Sequence, residues 1–151
     1  KFYNKNGDAV ANWMTSHERE SEIRDYLFYL NRLQEKIRED FGNLKTGILG
    51  YSQGASTAFR WAANLKQQAD VFYACSGTIP PEIEAKEVKQ WKSQLYFYYG
   101  NNDRLFKIEK AKQQMEKLKE LKIPYQSFEF AGKHEIPKIC LEHLRQFSED
   151  D

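Results

Sequence analysis

Apolar residues recur along the chain in two patterns, a helical period of three to four residues and short continuous runs. The first helical pattern follows Thr15, which forms a capping box with Glu18 and predicts a helix start. Its apolar positions predict one buried helix face, made of Ile23, Tyr26, Leu27, Leu30, Leu33, Ile37 and Phe41. We expect Gly42 to end this helix, because glycine is the residue that most often follows a helix end.

Short apolar runs between the helical stretches predict buried strands. The run at 47–51 is too short for a helix and apolar on both faces, as in a parallel sheet. Further strands are predicted at 70–75, 94–99 and 124–130. Further helices are predicted from Ala55 to Ala63, from Ile108 to Leu118 and from Ile136 to Phe147. Residues 82–92 fit either a short surface helix or a loop. The alternation predicts an α/β fold with a mostly parallel sheet and helices on both faces.

Charge and composition exclude several classes of protein. The 151 residues include 23 Lys plus Arg and 22 Asp plus Glu, a net charge of +1 that argues against a nucleic-acid partner. No run approaches the roughly 20 apolar residues that cross a bilayer, so we expect no membrane span. Cys75 and Cys140 lie far apart and match no metal-ligand spacing, so we expect neither a disulfide scaffold nor a metal site. A reducing, cytoplasmic location fits this cysteine usage, while a signal upstream of Lys1 stays open.

One motif carries a chemical signal. The pattern Gly-x-Ser-x-Gly is found at Gly50-Tyr51-Ser52-Gln53-Gly54, between the first predicted strand and an alanine-rich helix. This position predicts a tight turn with Ser52 on strained backbone, and we expect Gly50 and Gly54 to supply the space that the turn needs. The amide of Gln53 would then lie at the positive end of a helix, where a developing oxyanion is stabilised. A serine that only begins a helix is the alternative interpretation, and it leaves both glycines unexplained.

A serine hydroxyl needs a neighbouring imidazole to remove its proton and an acid to orient that imidazole. Of the three histidines, His134 alone lies in a loop directly after a predicted strand, whereas His17 and His143 lie on predicted helices. Asp103 lies in the loop after the third predicted strand. Because the carboxyl ends of parallel strands meet at one sheet edge, we expect Ser52, Asp103 and His134 to converge there. A turn aspartate and a surface-loop histidine without catalytic roles are the open alternatives.

At these residues the chain resembles the α/β-hydrolase superfamily, in particular the branch of carboxylesterases, phospholipases and acyl-protein thioesterases. The resemblance runs from Phe2 to Phe147 and rests on the motif at 50–54, the loops at 100–103 and 132–134, and the upstream segment 13–15. It implies a serine hydrolase that cleaves small or medium acyl esters or thioesters through an acyl-enzyme intermediate. A peptidase is compatible with the same motif.

The resemblance also implies the role of each site residue. Ser52 would be the nucleophile, His134 the general base and then acid, and Asp103 the acid that orients the histidine. The Gln53 amide would be one oxyanion donor, with no metal and no organic cofactor. Trp13 and Met14 would be either core residues or walls of the substrate pocket.

The beginning of the chain departs from the pattern of that superfamily. Its members carry earlier strands and a His-Gly loop that supplies a second oxyanion amide, and nothing before Lys5 fills that role. Loss of one such donor costs about 2.7–4 kcal/mol of transition-state stabilisation, and the strand before Ser52 would keep an unpaired edge. We therefore expect residues 1–151 to form a single α/β-hydrolase domain that lacks its N-terminal strands, with either an upstream segment or a homo-oligomer covering that edge. A catalytically silent α/β-hydrolase fold that acts as a binding or assembly module is the alternative function.

Overall fold

The chain is divided into two compact units by its backbone contacts, Lys1–Asn43 and Leu44–Asp151. The computed structural model describes residues 2–3, 9–10, 18–65 and 68–149. The first unit contains two short antiparallel strands, β1 (Phe2–Tyr3) and β2 (Ala9–Val10), which the sequence pattern did not predict, and then helix α1 (Arg19–Phe41). The expectation of one domain over residues 1–151 stays a prediction.

Helix α1 ends where the sequence predicts, but its apolar face is not buried. Gly42 caps the helix with a φ of 79°, and its N–H donates to the Arg38 carbonyl. Glu18 occupies the N-cap position, while Thr15, the expected N-cap, lies outside the described residues. The predicted buried face is wrong, because no residue of α1 is buried and Phe41 is 67% exposed. The described part of this unit holds one helix and one short strand pair, and a helix buries its apolar stripe only against a second layer.

The second unit is built on a parallel sheet whose four strands lie side by side in chain order. These strands are β3 (Gly47–Tyr51), β4 (Val71–Cys75), β5 (Gln94–Gly100) and β6 (Tyr125–Phe130). The helices that follow β3, β5 and β6 are α2 (Gln53–Asn64), α3 (Ile108–Glu120) and α4 (Lys138–Glu149). Residues 82–92 form turns and no helix. Within the described ranges, no helix combines the length and apolar character needed to cross a membrane.

Different helices cover the two faces of the sheet. On one face, Phe72 and Ala74 of β4 pack in a core with residues of α2 and α3, including Phe59 and Leu118. On the other face, alternate residues of β4 pack against α4: Val71, Tyr73 and Cys75 contact a cluster that contains Cys140, Leu144 and Phe147. Alternation along a strand sends neighbouring side chains to opposite faces, so both faces need a covering layer. The fold class is therefore the one predicted, an α/β fold with a parallel sheet and helices on both faces.

The long connection between β4 and β5 is tied to the helices of the first face. The Ile79 amide donates to Gln114 Oε1 at 2.8 Å, and Lys117 Nζ donates to the Pro80 carbonyl at 2.6 Å, both from α3. From α2, the buried Arg60 pairs with Glu82 at 2.7 Å. These bonds hold the start of the connection beside the carboxyl end of the sheet, which is where the candidate site lies.

Candidate active site

Ser52 lies in a tight turn between β3 and α2. Its backbone has φ 55° and ψ −123°, a left-handed φ that residues other than glycine rarely adopt. The Ser52 N–H donates to the Cys75 carbonyl at 2.9 Å, which anchors the turn to the end of β4. The strained strand-to-helix turn predicted from the sequence motif is therefore present at this position.

The two glycines of the motif differ in what surrounds them. A Cβ on Gly50 would lie 2.6 Å from the Ala55 Cα and 3.0 Å from the Ala58 Cβ, so glycine is what lets α2 approach β3. A Cβ on Gly54 would meet no heavy atom within 4 Å. The expectation that Gly54 supplies space for the turn is therefore wrong, because its hypothetical side chain points into open space.

A third glycine, which the sequence pattern did not single out, packs against the same turn. A Cβ on Gly77 would lie 2.6 Å from the Ser52 carbonyl oxygen and against the Ala55 Cβ. Gly77 comes two residues after β4, and a glycine just past a strand end is the signal that could have pointed to a close backbone approach.

We expect opposite effects of alanine at the two motif glycines. Gly50→Ala should lower the free energy of unfolding by about 1–3 kcal/mol, because the new Cβ overlaps α2. Gly54→Ala is the matched control and should raise it by up to about 1 kcal/mol, because Gly54 lies within α2 and alanine favours helix. Urea denaturation followed by circular dichroism measures both. Equal destabilisation by the two variants would contradict this interpretation of the packing.

Two hydrogen bonds connect the three predicted site residues. The His134 Nε2 lies 2.8 Å from the Ser52 Oγ, and the His134 Nδ1 lies 2.7 Å from the Asp103 Oδ2. A carboxylate only accepts hydrogen bonds, so Nδ1 carries the proton that it donates to Asp103, and Nε2 is left to accept from the Ser52 hydroxyl. The structure thus brings together side chains from three separate loops at the carboxyl end of the sheet.

Asp103 is held as a buried carboxylate. Its side chain is 0% exposed, and its second oxygen, Oδ1, accepts the N–H groups of Leu105 and Phe106, each at 2.8 Å. Burial by itself raises the pKa of this carboxyl, but the hydrogen bonds from Phe106, His134 and Leu105 outweigh burial and hold the pKa below its ordinary value. Asp103 is therefore ionised near neutral pH and fixed in orientation through both oxygens.

The loops that carry Asp103 and His134 are joined through their backbones. The Asn101 N–H donates to the Phe130 carbonyl and the Asn102 N–H donates to the Gly132 carbonyl, both at 2.9 Å. A Cβ on Gly100 would lie 2.6 Å from the Gly132 carbonyl oxygen, so the loops could not approach this closely with a side chain there. The separation of the two loops is thus fixed by contacts between their backbones.

Tyr51 supports His134 in a way that the sequence pattern did not reveal. Its hydroxyl donates to the His134 carbonyl at 2.7 Å, and the two rings lie 5.1 Å apart, centroid to centroid. Burial, and then the negative charge of Asp103, raise the pKa of Tyr51, so the hydroxyl remains a neutral donor. The only sequence signal for this role is a hydrogen-bonding side chain next to Ser52 in the motif.

The remaining predicted site residues differ in how far the structure describes them. Gln53 is the first residue of α2, so its N–H belongs to the helix-start amides that lack an intrahelical partner. Trp13 and Met14 lie outside the described residues. In the part of the chain that the structure describes, no cluster of three or more His, Cys, Asp or Glu residues could hold a metal ion.

A cleft of about 390 Å³ lies next to the Asp103 loop. The cleft is lined by Thr78, Arg104, Leu105, Phe106, Lys107, Glu109, Lys110 and Gln113. Four of these residues, at positions 104–107, directly follow Asp103, and the Thr78 hydroxyl lies 3.0 Å from the Ser56 hydroxyl of α2. The cleft therefore lies between the segment that follows Asp103, the start of α3 and the connection after β4.

Comparison with known proteins gives one family and a set of similar folds. The model of the serine hydrolase (FSH1) family matches residues 3–142. SOBER1 of Arabidopsis thaliana has a similar structure, with a TM-score of 0.75 and 17% identity over 95% of this chain and 75% of that chain. A Bacillus cereus carboxylesterase has a TM-score of 0.69 and 11% identity, covering 95% of this chain and 72% of that chain. At such identities the likeness shows the α/β-hydrolase fold alone. No curated protein matches the chain at a significant level.

Proposed function

The chain belongs to the serine hydrolase (FSH1) family, and from that membership we propose that it cleaves small or medium acyl esters or thioesters through an acyl-enzyme intermediate on Ser52. The observation that carries the proposal is the continuous line of hydrogen bonds from Ser52 Oγ through His134 to Asp103, at 2.8 and 2.7 Å. Such a line activates an alcohol by moving its proton to an imidazole while a carboxylate stabilises the resulting charge.

In the proposed acylation step, Ser52 Oγ attacks the acyl carbon and His134 Nε2 takes the hydroxyl proton. The positive charge that forms on the imidazole is stabilised by Asp103, which stays ionised because its pKa is lowered. The negative charge on the substrate oxygen is stabilised by the Gln53 N–H at the start of α2. His134 then gives the proton to the departing alcohol or thiol.

In the proposed deacylation step, water takes the place of the leaving group. His134 removes a proton from that water, which attacks the acyl carbon, and the Ser52 hydroxyl is regenerated when the acid departs.

The size of the proposed substrate is supported by the cleft beside the Asp103 loop. Its volume of about 390 Å³ lies near the lower end of the range of small-molecule sites, which is roughly 300–1,000 Å³. Leu105, which is 80% exposed, offers apolar surface there for an acyl chain. The Bacillus cereus carboxylesterase has a similar fold, which supports an ester as the substrate class.

Labelling with a fluorophosphonate tests the proposal. The reagent phosphonylates a serine only where a base activates the hydroxyl, so we expect one adduct, mapped to Ser52 by mass spectrometry. The heat-denatured chain and the His134→Ala variant are the controls, and both should remain unlabelled. A folded chain without an adduct on Ser52 would reject the proposal and support a silent binding or assembly module instead.

A further inference from the structure

Two cysteines that are distant in sequence lie side by side in the layer between the sheet and α4. The Sγ atoms of Cys75 and Cys140 are 3.6 Å apart, although 65 positions separate the residues. Both side chains are 0% exposed, and both are free thiols. The triad does not use either thiol, so the pair needs a separate explanation.

The surroundings of the two sulfur atoms make them chemically unequal. The Cys75 thiol donates a hydrogen bond to the Cys140 sulfur. The bond from Cys75, with the smaller help of Tyr98, lowers the pKa of Cys140 against the effect of burial. The same bond, followed by burial, raises the pKa of Cys75. Cys140 is therefore the sulfur prepared to react as a thiolate, and Cys75 is placed to react second.

We propose that Cys75 and Cys140 form a redox modification site, at which a small peroxide such as hydrogen peroxide converts the two thiols into a disulfide. The Cys140 thiolate attacks one peroxide oxygen, the O–O bond breaks, hydroxide leaves, and Cys140 becomes a sulfenic acid. The Cys75 sulfur then attacks the Cys140 sulfur, forming the S–S bond and breaking the S–O bond, and the oxygen leaves as water. In total the thiols lose two electrons and two protons, and one peroxide is reduced to two waters.

The disulfide would draw together the segments that carry Ser52 and His134. An S–S bond is about 2.05 Å long, so the sulfur atoms must approach by roughly 1.6 Å. Cys75 ends β4, and its carbonyl accepts the Ser52 N–H. Cys140 lies in the first turn of α4, six positions after His134. The disulfide should therefore lower ester turnover by up to about 100-fold, the loss that a misplacement near 1 Å can cause. This consequence rests on the proposed function.

The experiment treats the reduced full chain with hydrogen peroxide and then blocks remaining thiols with N-ethylmaleimide under denaturing conditions. We expect a mass loss of two hydrogen atoms, no added maleimide, and a peptide that links Cys75 to Cys140 and is released by dithiothreitol. A chain that still takes up two maleimides after peroxide would overturn the proposal. Ester turnover is followed in the same samples before and after dithiothreitol.

Single variants test the order of the two steps. Cys75→Ala should accumulate a sulfenic acid on Cys140, which dimedone traps, whereas Cys140→Ala should leave Cys75 unmodified. A trapped sulfenic acid on Cys75 would overturn the assignment of Cys140 as the first sulfur to react. If either variant fails to fold, the mapped cross-link in the unaltered chain still decides the pairing.

The readouts separate this proposal from the proposed function. A reduced chain without ester turnover would contradict the hydrolase activity, while the cross-link would still decide the redox site. A complete cross-link with unchanged turnover would contradict the coupling to Ser52 and leave the disulfide established.

Discussion

Replacing Ser52 by alanine is expected to lower ester turnover by about 10⁶-fold, the scale of loss seen when a serine hydrolase loses its nucleophile. The Ser52 Oγ is the atom that would bond to the acyl carbon, and its 2.8 Å contact with His134 Nε2 is the path by which its proton leaves. Alanine has no such atom, so water would have to replace the nucleophile. Hydrolysis of a chromogenic p-nitrophenyl ester by the purified variant measures the loss.

A neighbouring serine provides the control for this substitution. Ser56 lies one helical turn further along α2, and its hydroxyl donates to the Thr78 carbonyl at 2.7 Å, outside the line from Ser52 to Asp103. Ser56→Ala should keep turnover within a few-fold of the unaltered chain. Circular dichroism spectra of both variants should match that of the parent. Undiminished turnover in Ser52→Ala would contradict the assignment of the nucleophile.

Replacing Asp103 by asparagine is expected to lower kcat by about 10⁴-fold, because the histidine would be held in the wrong tautomer. The Leu105 and Phe106 amides donate to one oxygen of Asp103 at 2.8 Å, so the single oxygen of asparagine should remain there. The new NH₂ group would then face His134 Nδ1 and donate to it. The His134 proton would move to Nε2, which could no longer accept from Ser52.

The control for the acid is an aspartate at the other end of the same sheet. Asp70 precedes β4, and its Oδ2 accepts the Thr46 N–H at 2.7 Å. Asp70→Asn should keep kcat within a few-fold of the parent value. A small loss in Asp103→Asn, comparable to that in Asp70→Asn, would show that the His134 tautomer does not depend on Asp103.

The same variant should also change how stability depends on pH. The pKa of Asp103 is lower in the folded chain than in the unfolded chain, so its contribution to stability is complete above about pH 4 and is lost as pH falls through the lowered value. Asparagine does not titrate. The difference in free energy of unfolding between parent and Asp103→Asn should therefore shrink as pH falls below about 4, as urea denaturation at neutral and acidic pH would show.

The sequence predicted the second unit well because its signals are local. Each strand is a short apolar run and each helix a regular apolar period, and the structure places their bounds within two residues of the prediction. The convergence of Ser52, Asp103 and His134 could be predicted because each follows a predicted strand in a parallel sheet. The location of a strand end is enough to place such a residue at the correct edge.

Features that depend on contacts between distant residues were not predictable in this way. The apolar period of α1 shows that the helix has an apolar face but not what covers it, and Phe41 is 67% exposed. The role of Gly77 depends on its close approach to the Ser52 carbonyl, and the role of Tyr51 depends on its hydrogen bond to the His134 carbonyl. The two cysteines are 65 positions apart in sequence, so no local sequence pattern could predict that their sulfur atoms are in contact.

The chain order of the four strands has a consequence for biosynthesis. Ser52 emerges from the ribosome 82 positions before His134, and the sheet can grow by adding β4, β5 and β6 in turn. Under the proposed function, Ser52 gains its base only when the loop after β6 brings His134 Nε2 to 2.8 Å from Ser52 Oγ. Hydrolytic activity of a nascent or truncated chain would therefore require synthesis of the segment that carries His134.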